Sequence, residues 1–519
     1  MAEPSRQVRA SFELAQRLRQ PWEGRWQRLI DVAMPYRTPF TGGLAPRHGQ
    51  NTASVYDETG MVGIEEFAGR LVGGIVPDGV EWARFDTDPG LPDPVRAGVA
   101  EVQAELFLQL SRSNFAPEVF DGFKDLAGFG NVCLKVVPGD WAQPLRFQAI
   151  PLADAWVTPG PDGTIADIHV RYRVPGYVVR AQYPNAELPR DLGGVGGADN
   201  VAVIDSWIRD LDSPTERWLR QVHVEGKHLL VAKVETGRGS CCYVFGRWSK
   251  AAGELYGVGQ GMQALPAIEV VNEAVRLILA HGEMALSGMW QAEDDGVLNP
   301  WSVQLAPGAI IPIAPGSRGL QPLTLPSTRL DIGQIVLEEQ RHAIRKALFN
   351  ETITPRTADT PPTALEIRQR MQELARQIGP AYGRVWHEVV VPLLLRILRV
   401  LTEQGRIVMP EVDGRRVRIA PASTLVRSAR TEEVARINEW LGAIAQLYGP
   451  AAVQTLVPAE RYMRITADRL DIPANLPFSS EEISQNAQAA GQLLAQAGQG
   501  GAEAAAMAPL LAALGARAA

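Results

Sequence analysis

Two stretches with apolar residues at helical spacing, parted by an insert too short to fold alone, constrain this chain more than any other feature. After the Gly-rich turn Gly257-Val-Gly-Gln-Gly261, residues Leu265, Ile268, Val271, Val275, Ile278 and Leu279 predict a helix running to about residue 286. A second long helix is predicted from about 330 to 349. Between them stand Trp290, a turn at Asp294-Asp295-Gly296, Trp301, and two β-type runs over 303–305 and 309–313, parted by Pro307-Gly308. An insert of about 40 residues seldom builds a core without a metal, disulfides or a partner. It is therefore expected to complete its sheet with a neighbouring subunit.

The flanking sequence predicts an α+β protein. Apolar residues Phe12, Leu14, Leu18, Trp22, Trp26, Leu29 and Ile30 indicate one amphipathic helix, or two broken at Pro21. Further helices are expected over about 57–73, with Asp57 and Thr59 as caps, and over 94–110. Short β-type runs then follow over 132–137, 165–174, 201–208 and 229–234. After the second long helix, residues 351–362 form a Thr-rich, Pro-rich loop whose one cation is Arg356. Thr363-Ala-Leu-Glu366 is a capping box that starts another helix, expected to kink at Pro380 and Pro392 and to end near Gly405. A short strand over 415–419 and helices over 431–448 and 459–470 complete the pattern. From about Ser484 the chain is rich in Ala, Gln and Gly, and it either packs with copies of itself or stays partly disordered.

Bulk chemistry excludes several classes. With 519 residues, 51 Lys and Arg against 58 Asp and Glu, and a net charge of −7, the chain does not grip nucleic acid over its whole surface. A conduit for a sliding polyanion would also avoid a broad basic lining. Three cysteines, two of them adjacent, form no disulfide framework, so a reducing cytoplasm is expected at synthesis. No export signal is visible at the N-terminus. The most apolar stretch, 389–401, contains Pro392, Arg396 and Arg399 and falls short of the roughly 18 apolar residues of a membrane span.

Motifs for catalysis are absent: no phosphate loop ending in Gly-Lys-Ser/Thr, no His-Glu-x-x-His and no Gly-x-Ser-x-Gly. The turn at 257–261 lacks dinucleotide spacing and reads as a helix start. The seven histidines show no ligand spacing with cysteine, and Asp294-Asp295 before Gly296 reads as a solvated turn. No cofactor and no metal are expected.

The order of parts resembles the portal, or head-to-tail connector, family of short-tailed double-stranded DNA phages, over about 22–470. It rests on Tyr56-Asp-Glu-Thr-Gly60 leading to Trp82, Phe129-Gly-Asn-Val132, Leu255-Tyr-Gly-Val-Gly259 with Ala264-Leu265-Pro266, Asp294-Asp-Gly-Val-Leu-Asn-Pro300 with Pro307-Gly308, and the Thr-rich loop into Thr363-Ala-Leu-Glu366. The resemblance implies a mainly helical α+β portal fold that assembles as a ring of twelve. It implies a wing over 1–257, a first stem helix over 258–289, a clip over 290–328, a second stem helix over 329–349 and a tunnel loop over 350–362. A long wing or crown helix over 363–405, a crown over 406–482 and a tail or barrel over 483–519 would follow.

Such a ring would sit at one capsid vertex as the channel for genome packaging and ejection, made in the host cytoplasm, without catalytic activity and away from membranes. Its implied partners are copies of itself, double-stranded DNA in transit, the terminase large subunit, a tail adaptor, the major capsid protein, a scaffolding protein and internal core proteins. Arg341, Arg345 and Lys346 stand near the end of the second helix, where cations oppose the helix dipole. In a ring they would instead join Arg356 as basic rings near the channel. Thr352, Thr354 and Thr357 are either a polar surface loop or pore-facing groups that touch DNA without gripping it. Trp290, Trp301, Ile310 and Ile311 would pack between subunits in the clip. The alternatives are another ring-forming virion component or an enzyme acting on nucleic acid.

Overall fold

The structure is a computed structural model that describes residues 4–40, 52–87, 91–189, 192, 194–224, 228–287, 290–292, 315, 320–322, 330–350, 379, 381–409, 417–422, 424–448, 457, 462, 465 and 466. The chain divides into two compact units, Met1–Thr363 with Glu373–Ala420, and Ala364–Gln372 with Pro421–Ala519.

In the first unit α1 (Arg6–Ala33) begins where the Ser5 hydroxyl accepts the Val8 amide. It is one helix: Pro21 lies inside it without breaking it. The lost hydrogen bond is outweighed by packing on both sides of the proline, where Ala15, Trp26, Leu29 and Ile30 are buried. Arg19 is buried too, and its Nη1 donates to the carbonyls of Leu152, Ala153 and Ala155 at 3.1, 3.0 and 2.9 Å. Glu23 neutralises it and the Trp156 ring lies 3.9 Å below its guanidinium, so a charge that burial would otherwise penalise is fully partnered.

The chain continues through α2 (Thr59–Ile75), β1 (Ala83–Thr87), α3 (Asp93–Ser111) and α4 (Phe115–Gly128). The sequence pattern did not predict α4, because Pro117, Gly122 and Gly128 lower its helix propensity. Tertiary contact supplies what propensity lacks: Phe115, Val119, Phe123 and Leu126 are buried, and Gly122 leaves room for the side chains of Val132 and Leu134. Those two residues belong to β2 (Asn131–Pro138), the middle strand of an antiparallel sheet with β3 (Leu145–Ala149) on one side and β9 (Tyr243–Arg247) on the other. A second, five-stranded antiparallel sheet runs in chain order through β4 (Ala155–Pro159), β5 (Ile165–Pro175), β6 (Asn200–Arg209), β7 (Arg217–Val224) and β8 (His228–Thr236), with the short α5 (Gly176–Gln182) after β5.

Two long helices follow, α6 (Gln260–Ser287) and α7 (Leu330–Ala347). The ends of the insert between them pair with each other, β10 (Trp290–Ala292) against β11 (Leu320–Pro322), with Trp290 opposite Pro322. Helical residues 381–385 pass through a π-helical turn, Trp386–Val390, into α8 (Val391–Glu403), so the irregularity expected at Pro392 takes the form of a π-helical turn directly ahead of it. A strand, β12 (Val417–Pro421), pairs with β1. In the second unit α9 (Thr424–Tyr448) starts earlier than its apolar pattern indicates, and Tyr462 donates to Asn438 at 2.5 Å.

Arginines also fasten α8 to the β2 sheet. Buried Arg396 donates to the carbonyls of Val136, Gly239 and Ser240, while Arg247 at the end of β9 grips Glu388 of the π-helical turn with two nitrogens and donates to the carbonyls of Leu255 and Gly163.

The tightest point of the core lies where the chain enters β2 and, much later, α6. Gly130 has φ +88°, and a Cβ there would fall on the backbone of Val258 and Gly259. Gly257 and Gly259 are likewise pressed against the backbone of 127–130. Asn131, fully buried, closes the crossing: its Oδ1 accepts the Gly257 amide at 2.8 Å and its Nδ2 donates to the Gly257 carbonyl at 3.2 Å. Gly130→Ala is expected to destabilise the unassembled chain by at least about 2 kcal/mol through strain and clash. Gly73→Ala, in an exposed helical position with open space around its Cα, should instead be neutral or stabilising by up to about 1 kcal/mol. Denaturant unfolding of both variants checks the opposite signs.

Candidate functional site at the base of two helices

Tyr56-Asp-Glu-Thr-Gly60 leads into α2 and holds both long helices. Asp57 sits just ahead of the helix, and its Oδ1 accepts the Thr59 amide at 3.0 Å. Its other oxygen, Oδ2, accepts Nε and Nη2 of Arg341 on α7 at 3.0 and 2.7 Å. From α6, Asn272 accepts the amides of Tyr56 and Asp57 on its Oδ1, at 2.6 and 3.2 Å, and donates through Nδ2 to the Ser54 carbonyl at 2.9 Å. At the start of α2 Gly60 lies against Ile268, and one turn further Gly63 lies against Leu348, so the start of α6 and the end of α7 meet the same helix. The two long helices therefore run antiparallel.

Where α7 stops, the chain is fixed with equal care. Phe349 takes φ +54°, a left-handed conformation usually given to glycine. The amide of Asn350 returns to the Arg345 carbonyl at 2.7 Å and that of Phe349 to the Lys346 carbonyl at 3.1 Å. Three contacts hold this strained turn: the Phe349 ring lies 5.5 Å from that of Phe67, Arg70 donates to the Phe349 carbonyl, and Asn350 donates to the Gly63 carbonyl at 2.6 Å.

Away from this base the helices leave the core. None of the α6 residues 273–283 is buried, yet Leu277 and Leu279 are 54% and 57% exposed; on α7, Ile335 is 69% exposed and Val336 nearly half.

The candidate residues named from sequence separate into distinct settings. Arg341 is engaged with Asp57 and, through Nη1, with Glu338 at 2.8 Å, so its charge secures α7. Arg345 and Lys346 are exposed on the side of α7 away from buried Ile344 and Leu348, and they form no ion pair among the described residues. Trp290 opens β10, while Trp301, Ile310, Ile311, Thr352, Thr354, Arg356 and Thr357 lie outside the described residues, as do Asp294 and Asp295. Sequence reasoning missed Asn272 and Asn350. Each is a lone amide in a helical or helix-terminal context, and the only available signal was that Asn272 interrupts the apolar stripe of α6.

Burial pushes the Asp57 carboxyl up, but the hydrogen bonds from Thr59 and Arg341 outweigh it and hold it below the usual carboxylate range. A carboxylate favoured in the folded state stabilises it above the unfolded pKa of about 4 and loses that contribution as pH falls through the lower, folded value. Asp57→Asn is therefore expected to cost about 2 kcal/mol at neutral pH, and the deficit should shrink as pH falls below the usual carboxylate range. Urea unfolding across pH, with hydrogen exchange along α7 rising in the variant at neutral pH, measures it.

Such an arrangement is that of a scaffold: Asp57, Arg341, Asn272 and the Asn350 Nδ2 group are engaged in fastening one segment to another, while the buried Asn350 Oδ1 has no hydrogen-bond partner among the described residues. Residues 5–476 match the family described as bacteriophage head to tail connecting protein, and the chain belongs to that family. It is a structural component of the virion at the head-to-tail junction and not an enzyme. The chain is 20% identical over 506 residues to the "Probable portal protein" of Bordetella phage BPP-1, covering 90% of this chain and 87% of that protein. Among solved structures it is similar to a chain of the virion of a native gene transfer agent particle, at 15% identity and a TM-score of 0.34, over 82% of this chain and 96% of that one. A chain from the neck of an empty gene transfer agent particle gives 14% identity and a TM-score of 0.35, over 85% and 98%.

Proposed function

We propose that this connector closes into a twelve-membered ring at one capsid vertex, with α6 and α7 as the stem around a channel for the genome. The observation that carries the reading is the bare apolar surface of the stem. Leu277, Leu279, Ile335 and Val336 face solvent on helices already fixed at their base, and in a ring the adjacent copies would cover them. In this assembly Trp290, Trp301, Ile310 and Ile311 belong to the clip and pack between subunits. The clip's outer face receives the terminase large subunit during packaging and the tail adaptor afterwards. The outer rim meets the major capsid protein and, during assembly, the scaffolding protein and internal core proteins.

The channel reading assigns Arg345 and Lys346 a second role beside their favourable place at the end of α7. Repeated around a ring, they and Arg356 form belts of positive charge that touch passing phosphates, while Thr352, Thr354 and Thr357 line the narrowest part without holding the duplex. Arg341 contributes by fixing the helix on which the other two stand.

Leu277→Glu combined with Ile335→Glu is expected to reduce the yield of rings at least tenfold while leaving the unassembled chain folded, as read by native mass spectrometry and circular dichroism. Full ring yield from a folded variant would remove the proposed interface. Arg345→Gln with Lys346→Gln should assemble normally but retain less packaged DNA, measured as protected genome per particle; unchanged retention would exclude these two cations from the channel.

A further inference from the structure

Helix α1 carries six arginines against three acidic residues, in a chain whose net charge is −7. Arg19 belongs to the core, but Arg6, Arg9, Arg17, Arg25 and Arg28 are all exposed. At 3.6 residues per turn, Arg6, Arg9, Arg17 and Arg28 share an arc of about 100°, with Arg25 about 60° beyond it, along about 33 Å of helix axis. Three acids temper the stripe. Glu13 and the half-buried Asp31 lie within its arc, and Glu269 of α6 pairs with Arg28, accepting its Nε at 2.7 Å and its Nη2 at 2.5 Å. Arg17 contacts only the Glu13 carbonyl, at 3.4 Å, and neither it nor Arg6 nor Arg25 forms an ion pair among the described residues.

What lies between the arginines selects the ligand. Gln16, Gln20 and Gly24 separate them, and Leu14 at the border is the one exposed large apolar side chain of the helix. Protein interfaces centre on apolar or aromatic anchors with charge at the rim. A long face of arginine and glutamine has no such centre. It suits a ligand whose own surface is a line of anionic oxygens, and the planar guanidinium, used here to the exclusion of lysine, meets a phosphate with two parallel hydrogen bonds.

We infer that the solvent face of α1 binds the phosphate backbone of double-stranded DNA, without sequence preference, at a site distinct from the channel proposed above. The site does not depend on α7 or on threading of the duplex.

Binding of the assembled full-length protein to a covalently closed circular duplex isolates it, since a circle has no end to enter a channel. At about 100 mM monovalent salt, Arg6→Gln with Arg17→Gln and Arg25→Gln is expected to weaken binding tenfold or more, and the slope of log K against log salt should fall by about 2 to 3. Arg345→Gln with Lys346→Gln should leave circle binding unchanged. No measurable salt-dependent binding by the parent protein would overturn the inference, as would equal affinity and slope in the triple variant, or loss of circle binding in the α7 variant alone. A triple variant that keeps its DNA affinity but no longer joins DNA-free capsid shells would assign the stripe to an acidic protein surface instead.

Discussion

Everything in the first unit depends on one backbone crossing, where the strand that begins at Asn131 passes the segment that begins α6. Three glycines let the two main chains touch, and the Asn131 amide answers both the N–H and the carbonyl of Gly257. Buried backbone groups that cannot reach water must be satisfied internally, and a side-chain amide satisfies one donor and one acceptor together from two separate atoms. The direction of α6 is thereby set by the sheet, before any contact along the helix itself.

A second set of interactions uses arginine for a related purpose. Arg19, Arg247 and Arg396 each gather carbonyl oxygens from segments remote in sequence, at loop and strand ends where no ladder partner exists. Such a residue substitutes for secondary structure. It also imposes a direction, because the guanidinium fork accepts few geometries, and this is how α1, β9 and α8 are seated on a common core. Arg247 joins the π-helical turn to the carbonyl of Leu255, just ahead of α6, so the helices before and after residues 351–378 share one anchor.

The elements legible in sequence were helices whose apolar residues recur at helical spacing or that stand between clear boundaries, α1, α2, α3, α6, α7 and most of α9, and the strands β2, β5, β6 and β8, whose β-branched and apolar runs are bounded by turn residues. α4 was not legible, because its glycines and proline argue against a helix that only neighbouring side chains make favourable. The motifs supporting the family resemblance were visible as strings, yet their purpose was not. Nothing local says that Asp57 must meet Arg341, which stands 284 positions later, or that the glycines at 130 and 257 touch. Arg341, Arg345 and Lys346 looked equivalent as cations near a helix end; only packing separates the one that is tied down from the two that project.

The left-handed turn at Phe349 has a further mechanical meaning. Glycine would adopt that backbone without strain but would leave the turn without its wedge against Phe67, and so free to swivel. A bulky aromatic there accepts a small local penalty and converts the helix terminus into a fulcrum. Any load arriving from the chain beyond Asn350 is then delivered to α2 and the core behind it, instead of being dissipated in a loose joint.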